Sequence, residues 1–211
     1  IRSELGLATQ ATLLGPFSAF HRLSIDDATA PERTGVIDDR SSGPFGQIVP
    51  RPLAFADGRL SLTGEAGQGN IYVAAMDATV KVGGNWVLRT QGNVDYSAIV
   101  DGSVVLRRST VARPASGVSA QVMRLEAGTH RVFIRFTWPR QGGDFRVALG
   151  PDDGSTSHVE WKPAMGAPAN GNGVKLGSNA QVVGVDAMEL ATALVDEIGD
   201  SIAAFVAAHD G

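Results

Sequence analysis

The amino-acid sequence predicts a mainly β fold, an antiparallel, jelly-roll-like β-sandwich followed by a C-terminal amphipathic helix. Short runs of alternating apolar and polar residues follow one another about every ten residues between positions 47 and 151, with Gly, Asp or Asn between them. Of the 211 residues, 43% are hydrophobic and 19% are charged, so the chain has enough apolar side chains to fill a core. We therefore expect one sandwich-sized module with a helical segment behind it.

The first 46 residues predict one strand and one long loop. Residues 11–20 (ATLLGPFSAF) are mostly apolar and are broken by Gly15-Pro16, which predicts a strand that ends in a turn. Residues 20–46 carry Gly, Pro and two Asp-Asp pairs without a hydrophobic period. We expect them to form a long irregular loop laid over the fold.

Nine further strands are predicted after this loop. They span residues 48–55, 59–62, 71–80, 86–91, 96–100, 104–108, 119–125, 131–138 and 145–149. In the clearest of them, HRVFIRFTW, the side chains of Val132, Ile134 and Phe136 share one face, which predicts the core side. Phe133 lies on the opposite face, so we expect that face to be partly covered as well.

The C-terminal part of the chain changes composition. The sandwich module is expected to span residues 1–163, and residues 164–184 are rich in Gly and Asn, which predicts a linker. Apolar residues recur at helical spacing over residues 185–211, which predicts one amphipathic helix. The many alanines beside its apolar stripe would admit a second helix, as at the start of a helical-repeat region. A helix that folds back onto the sandwich is the open alternative.

The charges and the absence of cysteine limit the partners and compartments that we expect. The chain has 18 basic and 22 acidic residues, a net charge of −4, and no Lys/Arg block, so we expect no nucleic-acid partner. No run of 18 apolar residues occurs, and no membrane span is expected. The absence of Cys excludes disulfides and thiolate metal sites but suits both a reducing cytosol and a bacterial envelope. The compartment stays open, with the cell envelope or the extracellular space favoured over the cytoplasm.

Several motifs in order resemble one known pattern. These are WVLRTQGNVDYSAIVDGSVVLRR, then LEAGTH, then a final strand after GGDF, with tight hairpins expected at Asp101-Gly102 and Gly142-Gly143. Together they resemble the protective-antigen-type β-sandwich, and the related galactose-binding-type sandwiches found beside tetratricopeptide-repeat arrays in large bacterial proteins. The resemblance covers roughly residues 11–150. It implies a module of a larger bacterial protein that binds a glycan or a protein partner and adjoins a helical-repeat region of the same chain.

The resemblance also raises the question of calcium. Sugar-binding members of this family hold a calcium ion with an Asp-Asp pair in the loop before the Asp-Gly strand, and Asn93 and Val94 occupy those positions here. Calcium prefers six to eight oxygen ligands, and the side chain of Val94 supplies none. The resemblance therefore implies the fold and not the calcium site. A one-residue shift of the loop would make Asp95 a calcium ligand, joined by Asp101 and Asn93. The stronger interpretation makes Asp95 and Asp101 ordinary turn residues.

Sugar-binding sandwiches often stack sugar rings on exposed Trp or Tyr side chains. Trp86 and Trp138 are in phase with apolar neighbours, which predicts core positions. Tyr96, beside the Asp-Gly hairpin, and Trp161, at the edge of the predicted linker, are the best candidates for exposed aromatic contacts. The predicted ligand-binding residues are therefore Asn93, Asp95, Tyr96, Asp101 and Trp161.

No assembled catalytic set can be read from the sequence. The four His residues are scattered, no HExxH or GxSxG motif occurs, and no two carboxylates can be paired across a cleft. We therefore expect a non-catalytic recognition or scaffolding module with no cofactor, calcium excepted. The alternatives are an ancillary domain of a hydrolase or peptidase and a purely structural cap of a helical-repeat array.

Overall fold

A computed structural model describes residues 5–17, 25–43, 46–56, 58–62, 70–108, 117–139, 142–168 and 174–176. The chain divides into two compact units, Ile1–Ala180 and Gln181–Gly211. The second unit, and with it the helix predicted at residues 185–211, lies outside the described residues.

The described residues form fourteen strands and one short helix. In chain order they are β1 (Gln10–Leu14), α1 (Ala30–Thr34), β2 (Ser41–Gly43), β3 (Gly46–Ile48), β4 (Arg51–Ala54), β5 (Arg59–Leu62), β6 (Ile71–Val80), β7 (Gly84–Gly92), β8 (Tyr96–Val100), β9 (Ser103–Arg108), β10 (Gly117–Leu125), β11 (Gly128–Thr137), β12 (Gly143–Pro151), β13 (Glu160–Pro163) and β14 (Lys175–Leu176). The strands predicted at residues 59–62, 71–80 and 96–100 begin and end where the sequence placed them.

The strands form two main antiparallel sheets. The large sheet has the order β4-β1-β6-β11-β8-β9, and β13 shares one edge of β6 with β1. The small sheet has the order β14-β10-β7-β12-β5. From β5 to β13 the chain crosses between the two sheets at every connection except the β8–β9 hairpin. The predicted mainly β, antiparallel sandwich is confirmed.

Strand alternation places the core between the two sheets. Val132, Ile134 and Phe136 of β11 are fully buried there, together with Leu88 of β7 and Phe145 of β12. Burying side chains of this size contributes about 1.5–3 kcal/mol each. The prediction that one face of β11 supplies the core is therefore confirmed.

The opposite face of β11 is buried as well, beneath residues 25–43 and 46–48, which we call the strap. Phe133 is 1% exposed and belongs to a second apolar cluster, which includes Ile37 and Ile48 of the strap and Ile99 of β8. The strap contains α1 and the β2–β3 ribbon, so the expectation of a wholly irregular loop is wrong over these residues. Pro31 in the first turn of α1 and Gly35 (φ 71) after its last residue mark the two ends of the helix.

Two arginines of β11 connect the sheet to the segments that cover it. All five N–H donors of Arg131 are used, two on the carboxylate of Asp77 and three on the carbonyls of Gly35, Met165 and Gly166. Arg135 donates from Nη1 to Glu32 of α1 at 2.9 Å and to the carbonyl of Asp27 at 2.9 Å. The strap is thus held by buried polar bonds as well as by apolar contacts.

The sandwich makes contacts beyond the boundary predicted at residue 163. Ala164 is fully buried and its carbonyl accepts a hydrogen bond from Thr12 of β1. The two-residue strand β14 pairs with β10 inside the segment that was predicted to be a linker without regular structure. In the described part of the chain, no helix is long and apolar enough to cross a membrane.

Candidate functional site

The Asp-Gly and LEAGTH motifs meet in one buried cluster. Asp101 (φ 46) and Gly102 (φ 79) form the tight β8–β9 turn that the sequence predicts. One Asp101 oxygen lies 2.6 Å from Nδ1 of His130, and the other accepts the backbone N–H of Arg131 at 2.8 Å. Nε2 of His130 lies 2.8 Å from the carbonyl of Glu126. With side chains only 5% (His130) and 2% (Asp101) exposed, this cluster joins the β8–β9 turn to the start of β11 and offers no surface to a ligand.

The protonation of His130 follows from its two acceptors. Burial by itself lowers the pKa of His130, whereas the hydrogen bonds to Asp101 and to the Glu126 carbonyl raise it, and the net result is a pKa above the usual 6.5. Only the protonated ring can donate from both nitrogens at once. The cluster is therefore a charge-assisted structural clamp.

The predicted calcium ligands do not come together. Asp95 precedes β8 and Asp101 follows it, so their Cα atoms are roughly 20 Å apart at the rise of a β-strand. Calcium ligands lie about 2.3–2.6 Å from the ion, and both Asp101 oxygens already accept hydrogen bonds. Val94, at the second position of the family's Asp pair, is 2% exposed and lies in the core. The predicted pairing of Asp95 with Asp101 on one ion is wrong, and the described residues contain no group of three His, Cys, Asp or Glu able to hold a metal.

We accordingly expect calcium to have no effect through these residues. Any difference in Tm between millimolar calcium and a chelator should be the same for the wild type and for an Asp95→Ala variant, because calcium held by Asp95 in the folded state would raise the Tm of the wild type alone. A calcium-dependent rise in Tm that Asp95→Ala removes would contradict this expectation.

The two aromatic candidates are buried. Tyr96 is 1% exposed, and its hydroxyl is hydrogen-bonded to Thr90 of β7 across the core. Trp161 is 5% exposed and donates its indole N–H to the carbonyl of Gly6 at 2.9 Å. The expectation that these rings are exposed to a sugar is therefore wrong. Both rings instead place a polar atom against a partner inside the fold, as buried Tyr and Trp usually do.

Asn93, one of the predicted residues, lines a pocket. The pocket has a volume of about 240 Å³ and lies where β5, β7 and β12 meet. Its described lining residues are Arg59, Gln91, Gly92, Asn93, Asp144, Phe145 and Arg146. We call it the Arg59–Asp144 pocket. Sequence reasoning missed most of these residues because they come from three separate segments of the chain.

Strand register explains why these side chains converge. Arg146 of β12 lies directly opposite Gln91 of β7 on one side and Arg59 of β5 on the other, so all three share one face of the small sheet. Phe145, the next residue in β12, points into the core, so this shared face is the outer one. A Cβ on Gly92 would lie 2.4 Å from the carbonyl oxygen of Asp144, so glycine is required for β12 to approach this closely.

The ion pair that lines the pocket is weak. The Arg59 and Asp144 side chains are 46% and 36% exposed and lie 3.3 Å apart, and exposed pairs of this kind contribute about 0–1 kcal/mol. The side-chain oxygen of Gln91 is buried and accepts no hydrogen bond from the described residues. The side-chain oxygen of Asn93 accepts the backbone N–H of Asp144 at 3.0 Å, which fixes the loop after β7. The pocket therefore combines a fixed wall with an accessible ion pair that a ligand can engage.

Comparisons with known proteins give no family. No protein-family model and no curated protein matches the chain. Among solved structures it is similar to β-glucosidase from Kluyveromyces marxianus in complex with glucose, at 10% identity and a TM-score of 0.39 over 70% of this chain and 17% of that one. It is also similar to selenomethionine-labelled β-glucosidase from the same organism, at 8% identity and a TM-score of 0.41 over 71% of this chain and 18% of that one. The chain spans less than a fifth of the length of those enzymes.

Proposed function

We propose that this chain is a non-catalytic recognition module, a β-sandwich of the protective-antigen type, which binds a carbohydrate in the Arg59–Asp144 pocket without calcium. The observation that carries the proposal is the partly exposed Arg59–Asp144 ion pair, which lines the pocket and is weak enough for a ligand to displace.

The chemistry and size of the pocket favour a sugar ring. Carboxylate, amide and guanidinium groups offer planar pairs of donors or acceptors, which suit the adjacent hydroxyls of a pyranose. Pockets for drug-sized ligands usually exceed about 300 Å³, so a pocket of about 240 Å³ suits one sugar unit. Only one carboxylate, Asp144, is found among the described lining residues, whereas glycoside hydrolysis uses two. This composition favours binding over hydrolysis.

The test is a glycan-array screen in calcium-free buffer, followed by calorimetric titration of the best glycan with wild type and two variants. Asp144→Ala should weaken binding at least tenfold, about 1.4 kcal/mol, because it removes an acceptor of the pocket and the partner of Arg59. Asp153→Ala is the matched control, because Asp153 is an exposed carboxylate just beyond the opposite end of β12. Its affinity should equal that of wild type.

Two results would overturn the proposal. Binding to no glycan on the array would exclude carbohydrate recognition by this chain under these conditions. Binding that Asp144→Ala leaves unchanged would place the sugar site elsewhere. Since the ion pair of Asp144 is exposed, the variant should fold, and an unchanged Tm verifies this.

A further inference from the structure

The side-chain amide of Asn93 is held in one orientation at the Arg59–Asp144 pocket. Its oxygen Oδ1 accepts the backbone N–H of Asp144 at 3.0 Å. Because a backbone N–H can only donate, the amide oxygen and not the amide nitrogen must face β12. A second bond joins the same two residues, since the backbone N–H of Asn93 donates to the carbonyl of Asp144 at 3.2 Å. These two bonds fix both the position of Asn93 and the direction of its amide.

This orientation leaves the amino group of Asn93 to a ligand. Nδ2 carries two N–H donors, and neither has an acceptor among the described residues. Asn93 is exposed and lines the pocket, so a ligand in the pocket can reach it. A Cβ on Gly143 would lie 3.0 Å from Oδ1 of Asn93, so the glycine gives this amide room to lie against β12.

The carboxylate of Asp144 supplies the complementary acceptors. It lines the same pocket, is 36% exposed and lies 3.3 Å from Nε of Arg59. Each carboxylate oxygen can accept two hydrogen bonds, so this ion pair does not use up its capacity. Asn93 and Asp144 therefore place a donor and acceptors side by side, on two residues that are bonded to each other through their backbones.

We infer that the pocket selects a sugar through two hydroxyls on neighbouring carbons, and that Asn93 is the residue that determines this specificity. The first hydroxyl accepts a hydrogen bond from Nδ2 of Asn93 and donates to one oxygen of Asp144, and the second donates to the other oxygen. This inference rests on the proposed function. A hydroxyl both donates and accepts, whereas a ketone or an ether oxygen only accepts and could not satisfy Asp144. A sugar that lacks either hydroxyl loses a bond to a charged group.

The first experiment removes one hydroxyl at a time from the ligand. The probes are the methyl glycoside of the sugar that the glycan array identifies and the analogues of that glycoside that each lack one ring hydroxyl. Two analogues, modified at neighbouring carbons, should bind wild type about tenfold or more weakly than the parent glycoside does in calorimetric titration. The remaining analogues should bind within about twofold of the parent.

The second experiment removes the donor from the protein. Asn93→Asp keeps the shape of the side chain and an oxygen for the N–H of Asp144, but it replaces the two N–H donors by an acceptor. This variant should bind the parent glycoside about tenfold or more weakly than wild type does, at an unchanged Tm. Asn85→Asp is the matched control, because Asn85 is an exposed asparagine near the opposite end of β7. It introduces the same charge and should bind as wild type does.

The outcomes separate this inference from the proposed function. Wild-type affinity of Asn93→Asp, together with weakened binding by Asp144→Ala, would overturn the inference and leave the proposed function standing. An affinity that depends on no two neighbouring hydroxyls, or on the array glycan but not on its methyl glycoside, would do the same. Equal losses for Asn85→Asp and Asn93→Asp would show a general effect of charge and would also overturn the assignment to Asn93. Binding of no glycan by wild type would overturn both.

Discussion

Replacing Arg135 by methionine lowers the free energy of unfolding by about 3–5 kcal/mol, the range found when one member of a buried ion pair is removed. Methionine keeps most of the side-chain length but leaves the carboxylate of Glu32 without its cation. The Arg135 and Glu32 side chains are each 2% exposed, so water cannot replace the lost bond while the strap stays in place. Urea unfolding followed by tryptophan fluorescence measures the loss as a lower midpoint.

Two control variants separate the effect of burying the ion pair from the effect of its charge on stability. Arg107→Met breaks another ion pair between the strap and the sheet, to Asp26, but these side chains are 59% and 65% exposed, so the expected cost is about 0–1 kcal/mol. The double variant Arg135→Met, Glu32→Leu removes both buried charges and should recover part of the stability lost by Arg135→Met, since it also removes the acceptor of the Thr29 backbone N–H. Equal losses of unfolding free energy for Arg135→Met and Arg107→Met would show that burial does not increase the contribution of the ion pair to stability.

The strands could be predicted because their signal is local. The apolar–polar alternation and the Gly- or Asp-containing turns act over a few residues, and they located β5, β6 and β8 with their observed bounds. The β8–β9 hairpin was predicted for the same reason, since Asp101-Gly102 suits a turn with two positive φ values. Phe133 on the second face of β11 correctly indicated that this face is covered.

What covers that face could not be predicted, because the contacts join distant segments. Arg131 and Arg135 alternate with apolar residues as solvent-facing side chains do, yet they are 3% and 1% exposed beneath the strap. Glu32 lies 103 residues before Arg135 in the chain. No local pattern in the sequence predicts such a pair. In addition, α1 has only five residues, which are too few to show a helical period.

The candidate site was predictable only through Asn93. Tyr96 and Trp161 were chosen for their position near turns, but each has a hydrogen-bond partner in the interior, and that of Trp161 is 155 residues away. The remaining pocket residues become neighbours through the pairing of β12 with β5 and with β7. Arg59 and Arg146 are on the same face because of that register, which the sequence alone does not specify.

The second large effect concerns His130, through Asp101→Asn. We expect this variant to lose about 1.5–3 kcal/mol below pH 6.5, the range for a hydrogen bond to a charged group, and to lose less at higher pH. Asparagine tolerates the positive φ of Asp101 and can still accept the N–H of Arg131, so the substitution removes mainly the charge that faces His130. Urea unfolding of wild type and variant between pH 5.5 and 9 measures the difference.

The direction of this pH dependence of stability follows from the linkage between proton binding and folding. The pKa of His130 in the folded state is raised above 6.5, so protonation of His130 stabilises the fold. Its contribution is fully present below pH 6.5 and is lost as the pH rises through the folded-state pKa. In Asp101→Asn the carboxylate that helps to hold the proton is gone, so this pH dependence should largely disappear. The exposed His158 provides the control, because His158→Gln should keep the wild-type dependence. A difference between wild type and Asp101→Asn that stays constant from pH 5.5 to 9 would mean that the clamp stabilises the hairpin by packing and neutral hydrogen bonds, and not by the charge of His130.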